Sequence, residues 1–259
     1  MQKIKLTHFT CNYIYQNFGH QKNLVLSNSL GTTYAMWDDN IDFLSLHFNI
    51  LRYDSRGHGE STIDQLVVHI DQLADDVVEL LEVLKLEHVY FCGLSIGGLI
   101  GQSLAIHHPS RFVKIIISNT AAKIGSLEGW NSRVQQVNQH GLDSILEPTA
   151  TRWFSLAYRT QHPDKIQAIL NQFKNTSLQG YTASCHAVAG ADFREKLQQI
   201  TVPMLIIVGT LDEVTTVADG VWMQEQIPKA QLVRLDAAHL SNMEHPQAFA
   251  DHIIQFTQN

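Results

Sequence analysis

Three residues have the types and the chain order needed for nucleophilic acyl transfer. Ser95 sits in Gly93-Leu94-Ser95-Ile96-Gly97, Asp212 in "MLIIVGTLDEV", and His239 just after "AQLVRLD". A serine hydroxyl attacks poorly until a base takes its proton, and a histidine base needs a carboxylate to fix its tautomer. When each member follows a later strand, the order Ser, Asp, His is that of a nucleophile elbow with its two partners.

Gly-x-Ser-x-Gly alone also fits a tight turn with a surface serine. Here it directly follows the apolar run "HVYFCG" and opens a helical pattern that ends before Pro109. In that context the turn lifts the hydroxyl off the sheet, and the helix N-terminus offers free amides to a developing oxyanion. Glu213 and Asp219 compete for the acid role, but Asp212 is nearest the strand end. Of the 14 histidines, His107, His108, His140 and His245 lie in or beside helices, whereas His239 follows a strand.

An oxyanion hole needs two amide donors. Ile96 N–H is one; the loop "SNSLGTT" (27–33) supplies the other, with Leu30 N–H favoured because Gly31 lets the backbone turn inward. An ordinary glycine turn is the alternative. The stretch "RYDSRGHGES" (52–61) lacks the Lys-Ser/Thr of a phosphate loop. It reads as structural, with Asp54 and Arg56 in a loop hydrogen-bond network.

The elements that must hold these residues are visible as pattern. Residues 4–18 alternate as an antiparallel hairpin. Apolar runs then begin at Asn23, Phe48, His88, Val113, Pro203 and Ala230, as in strands covered on both faces of a parallel sheet. Helical stretches lie between them. "DQLADDVVELLEVLKL" places Leu73, Val77, Leu80, Leu81 and Leu84 on one stripe, and "PQAFADHIIQFTQ" opens on Pro246, suited to a first turn. The expected fold is α/β: a mostly parallel eight-stranded sheet with helices on both faces. Residues 1–121 and 200–259 form its core. Residues 122–199 carry no strong strand and read as a helical cap inserted between core strands, roofing the end of the sheet where ligands bind.

Composition narrows the function. A net charge of −7 without Lys/Arg runs argues against a nucleic-acid surface. No segment approaches the roughly 20 apolar residues of a membrane span, and the N-terminus lacks a signal-peptide block, so a cytoplasmic protein is expected. Cys11, Cys92 and Cys185 are too scattered for a disulfide framework or metal knuckle, and Cys92 reads as a buried small hydrophobe. No His, Cys or carboxylate cluster has ligand spacing, so no metal is expected.

"LSNSLGTT", "RYDSRGHGES", "CGLSIGG", "GTLDEV" and "AAHLSNMEHP", in that order, resemble the α/β-hydrolase family over nearly the whole chain. "SNSLGT", "SNTAAKIG" (118–125), "TRWFS" (151–155) and "AHLSNMEHP" narrow the likeness to bacterial 3-oxoadipate enol-lactonases of aromatic-compound degradation. In the cap, "SCHAVAGADF" lacks an Arg-Asp pair that the family tends to show there. The resemblance implies a small anionic lactone as substrate. A guanidinium grips a carboxylate with two hydrogen bonds, and Lys123, Arg133, Arg152 and Arg159 are the cap cations weighed for it. Arg152 is preferred, with Trp153 covering the apolar face of the ring. The alternative makes Arg152 a surface residue and Trp153 cap core. Competing functions are a general carboxylesterase, a carbon–carbon bond hydrolase of ring-cleavage products, and a non-catalytic ligand-binding scaffold, against which three intact triad positions argue.

Overall fold

The computed structural model describes residues 2–66 and 68–258. Among these, eight strands form one sheet: β1 (Gln2–Lys5), β2 (Thr10–Gln16), β3 (Asn23–Ser27), β4 (Asn49–Tyr53), β5 (Val89–Leu94), β6 (Phe112–Ser118), β7 (Met204–Gly209) and β8 (Ala230–Leu235). Their order is β1-β2-β4-β3-β5-β6-β7-β8. β1 and β2 pair antiparallel, as does β2 with β4, and every other pairing is parallel.

Every residue of β4, β5 and β7 is buried. Successive side chains of a strand point to opposite faces, so both faces of this sheet are covered. The helices that cover it include α1 (Asp38–Leu44), which packs on the C-terminal helix, and α2 (Ile70–Val83), which packs on α3 (Ile96–His107). Leu73, Val77, Leu80 and Leu81 of the α2 stripe are buried; Leu84 lies one residue past the helix and is only partly covered. β8 departs from the expectation of a strand buried on both faces. It is an edge strand with one neighbour, and Gln231 and Arg234 are exposed.

The chain reverses direction across the sheet between β3 and β5. β4 lies on one side of β3 and β5 on the other, so the loops after β3 and β5 diverge and leave a crevice at the carboxyl ends. These loops carry "SNSLGTT" and Ser95.

Between β6 and β7 the described backbone is helical: α4 (Leu127–His140), α5 (Leu146–Trp153), α6 (Leu156–Gln161), α7 (Pro163–Lys174) and α8 (Leu178–Gly190). Serines start three of them. The hydroxyls of Ser126, Ser155 and Ser177 accept from the amides of Gly129, Tyr158 and Gly180. The segment has an aromatic interior, with Phe173 edge-on to Trp153 at 5.5 Å and to Tyr181 at 5.3 Å. The chain then returns through β7, α9 (Val217–Gln226), β8, α10 (Ser241–Glu244) and α11 (Pro246–Gln258). Among the described residues no helix is long and apolar enough to cross a membrane.

Candidate active site

Ser95 stands between β5 and α3 at φ 61° and ψ −113°. A side chain in this region is strained by roughly 1–3 kcal/mol, and the surroundings must hold it there. They do so through its backbone. Ser95 N–H donates to the Ser118 carbonyl at 2.9 Å, and its own carbonyl accepts from Gly98 N–H, Leu99 N–H and the Thr120 hydroxyl. Close packing also demands glycine at position 97: a Cβ there would lie 2.5 Å from the Ser27 carbonyl oxygen, at the start of the 27–33 loop.

Asp212 follows β7 and His239 follows β8, and the two meet. His239 Nδ1 donates to Asp212 Oδ2 at 2.8 Å, with both residues buried. That carboxylate accepts from every side. Oδ1 takes the amides of Val214 and Thr215, while Oδ2 also takes the Thr215 hydroxyl at 2.8 Å and Asn119 Nδ2 at 3.0 Å. Burial pushes its pKa up, but the His239 charge and these hydrogen bonds prevail and bring it down to about 2. The carboxyl is therefore ionised at neutral pH and shaped to hold an imidazolium. The competing acids are elsewhere: Asp219 caps α9 by accepting from Thr216 N–H and its hydroxyl, and Glu213 is exposed.

Sequence reasoning assigned no role to Asn119, yet it ties the site together. It occupies the left-handed region at φ 45°, which Asn tolerates better than most residues. Its amide group donates to Asp212 and to the Ala238 carbonyl, and its Oδ1 accepts from the hydroxyls of Ser118 and Ser241. The available signal was an asparagine directly after the β6 run, level with the strand ends that carry Ser95 and Asp212.

Ser95, His239 and Leu30 line one cleft. Ile96, the other assigned amide, is the first residue of α3. Leu30 precedes Gly31, whose φ of +80° and contact with Phe173 leave no room for a side chain. The cleft roof comes from the helical segment and includes Trp130, Arg133, Arg152 and Trp153. Trp153 is both cleft wall and interior, being buried against Phe154 and Phe173. Of the four cations weighed, Lys123 pairs with Asp192 at 3.3 Å, and Arg159 lines an outer groove. Arg133 and Arg152 both reach the cleft, and among the described residues neither has a carboxylate partner. Arg152 Nη2 donates to the Thr149 hydroxyl at 3.4 Å.

The stretch at 52–61 divides its labour differently from the sequence reading. Asp54 does organise the loop, accepting from Asn12 Nδ2, Tyr34 N–H and Glu60 N–H. Arg56 instead leaves it and makes a buried two-point pair with Asp76 of α2. Among the described residues, no three His, Cys, Asp or Glu side chains are grouped to hold a metal ion.

Known proteins share this arrangement of strands and loops. The family described as serine aminopeptidase, S33, matches residues 19–240. The chain belongs to the α/β-hydrolase family. Within it, this α/β-hydrolase is 44% identical over 237 residues to 3-oxoadipate enol-lactonase 2 of Acinetobacter baylyi, covering 91% of this chain and 89% of that one. It is 41% identical to 3-oxoadipate enol-lactonase 1 of the same organism, over 87% and 85% of the two chains. The crystal structure of the enol-lactonase from Burkholderia xenovorans superposes with a TM-score of 0.97 at 37% identity, covering all of both chains.

Proposed function

We propose that this α/β-hydrolase opens 3-oxoadipate enol-lactone to 3-oxoadipate through Ser95, His239 and Asp212, as a cytoplasmic step of aromatic-compound degradation. The observation that carries the substrate is the kinship with the two Acinetobacter baylyi enol-lactonases, which extends over at least 85% of every chain compared. The buried Asp212–His239 hydrogen bond and the cleft that His239 shares with Ser95 support the chemistry.

His239 takes the Ser95 proton as Oγ adds to the lactone carbonyl. The oxyanion is received by Leu30 N–H and Ile96 N–H. Collapse breaks the ring C–O bond, and the imidazolium returns the proton to the leaving enol oxygen. That enol tautomerises to the ketone of the product while the other end remains esterified to Ser95. Water then adds to the acyl-enzyme with His239 again as base. The second collapse restores Ser95 and releases the new carboxylate. Asp212 stays ionised throughout and stabilises the charged imidazole.

Arg152 binds the substrate's existing carboxylate, and Trp153 covers the ring. The partner implied is a small anionic lactone, with no cofactor or metal taking part. The test is turnover of freshly generated enol-lactone beside p-nitrophenyl acetate. A kcat/KM at least about a hundredfold higher for the lactone is expected of an enzyme that spends binding energy on the anionic part of its substrate. Equal efficiency would instead indicate a general esterase. Failure to hydrolyse either would sink the enzymatic reading.

A further inference from the structure

The loop at 52–61 holds a buried histidine that the reaction above does not use. His58 is 2% exposed, and its two ring nitrogens have two unlike partners. Nε2 lies 3.0 Å from the Gly31 amide nitrogen, and Nδ1 lies 3.0 Å from the Arg56 carbonyl oxygen. A backbone amide can only donate and a carbonyl can only accept, so one tautomer satisfies both: Nδ1 carries the proton and Nε2 is bare. Burial lowers the pKa of His58, which favours that neutral form.

Gly31 is next to Leu30. Its peptide is the far side of the residue whose own amide is proposed above as an oxyanion donor, so whatever fixes Gly31 N–H also constrains how Leu30 is turned. Neighbouring contacts anchor the same loop to the same partner. Asn28 Nδ2 donates to the Tyr53 carbonyl at 2.8 Å, and Tyr34 N–H donates to Asp54 Oδ1 at 2.8 Å. Those bonds secure the two ends of the loop. The His58 bond holds its middle, where the donor is needed.

We propose that His58 is a positioning residue for the oxyanion hole: its Nδ1–H tautomer accepts from Gly31 N–H and thereby holds Leu30 N–H toward the carbonyl oxygen of a substrate bound at Ser95. The proposal rests on the reading of Leu30 as an oxyanion donor. It predicts that losing the acceptor affects the transition state, where the oxyanion exists, far more than the bound ground state.

The test compares His58→Leu, which removes the acceptor, with His58→Gln, whose side-chain oxygen reaches about as far as Nε2. Fluorophosphonate titration of Ser95 first counts competent sites, so that kcat is expressed per reactive serine. Removing an oxyanion donor outright lowers kcat about 100- to 1000-fold; a donor left in place but misaimed should lose about 10- to 100-fold in His58→Leu, with KM changed less than about threefold. His58→Gln should recover most of that loss. Unaltered kcat per site in His58→Leu, or His58→Gln as impaired as His58→Leu, would overturn the proposal. A parallel change in KM and kcat would do so too. Should His58→Leu fail to fold, long-range ¹H–¹⁵N spectra of the wild-type imidazole decide the matter: a proton on His58 Nε2 refutes the assignment, and a bare Nε2 coupled to Gly31 N–H supports it. Wild-type protein inactive on both lactone and ester would instead refute the enzymatic reading, and the imidazole spectrum would still report on His58.

Discussion

Replacing Asp212 with Asn should separate two properties of this carboxylate that one geometry produces. The wild-type group is held at a pKa of about 2, below its ordinary 3.8, although burial opposes ionisation. A depression of that size corresponds to about 2 kcal/mol of folding stability at neutral pH. The sign follows from which state binds the proton more tightly. The unfolded chain does, so the contribution is complete above the unfolded value and fades as pH falls through the folded one. About half should be gone near pH 3. Asn cannot titrate, so the difference in unfolding free energy between wild type and Asp212→Asn should shrink by about 1 kcal/mol between pH 7 and pH 3. Carboxylates common to both proteins cancel in that difference. Asn must also turn its NH₂ toward one set of partners, and at the Oδ2 position it meets Asn119 Nδ2 and His239 Nδ1, both donors. Relief requires the other imidazole tautomer, which cannot take the serine proton, so kcat should fall about 10⁴-fold. Urea titrations at the two pH values and steady-state turnover are the assays. A stability difference independent of pH would show that Asp212 is not held ionised by its surroundings. Full activity in the variant, with Glu213→Gln damaging, would move the acid elsewhere.

Ser95→Ala should fold normally by circular dichroism and lose turnover on the order of a millionfold; activity within about tenfold of wild type would exclude the acyl-enzyme. Gly97→Ala should press on the Ser27 carbonyl, costing about 1–3 kcal/mol in thermal unfolding and lowering kcat; a fully active, equally stable variant would contradict the close approach. Arg152→Ala should lower kcat/KM for the enol-lactone by roughly 2 kcal/mol, about 30-fold, while p-nitrophenyl acetate changes little. Arg152→Lys should recover only part, and an unchanged ratio of the two substrates would assign the carboxylate to Arg133.

The sequence exposes Ser95, Asp212 and His239 because each follows an apolar run whose end is marked: Gly93 before Ser95, Gly209 before Asp212, Leu235 before His239. Strand ends are set by local pattern, and a parallel sheet brings its carboxyl ends to one edge without further information. Asn119 escaped notice although it also follows a strand. Its role depends on a side chain spanning to Asp212, 93 residues away, and nothing local encodes that reach. The partner of Arg56 was equally out of view, since Asp76 is simply one acid among several on α2. β8 misled because Leu232 and Val233 resemble a central strand, while its place at the sheet's edge is a property of topology.

The cap shows the same limit where it matters most for substrate choice. Amphipathic spacing indicates helices there, but which cation enters the cleft depends on how those helices lie. Four cations reduce to Arg133 and Arg152, and their supports differ. Arg133 lies over the Trp130 ring and near the Tyr181 hydroxyl, so these contacts brace its guanidinium from within the helical segment. Arg152 is in the last turn of α5, where that helix is bound to the loop around His239. The Trp153 carbonyl accepts from Leu240 N–H at 2.9 Å, and Glu244 takes the Ser155 hydroxyl and amide together with Ala238 N–H. Those bonds bracket His239 in sequence. A carboxylate gripped by Arg152 would thus be registered against His239 through a few short links between α5 and the 238–244 loop, whereas Arg133 has no such link to that loop among the described residues. Such registration would help orient a carbonyl over Ser95. On that ground we propose Arg152 rather than Arg133 as the residue that sets selectivity, although both guanidiniums face the same cleft without a carboxylate partner among the described residues.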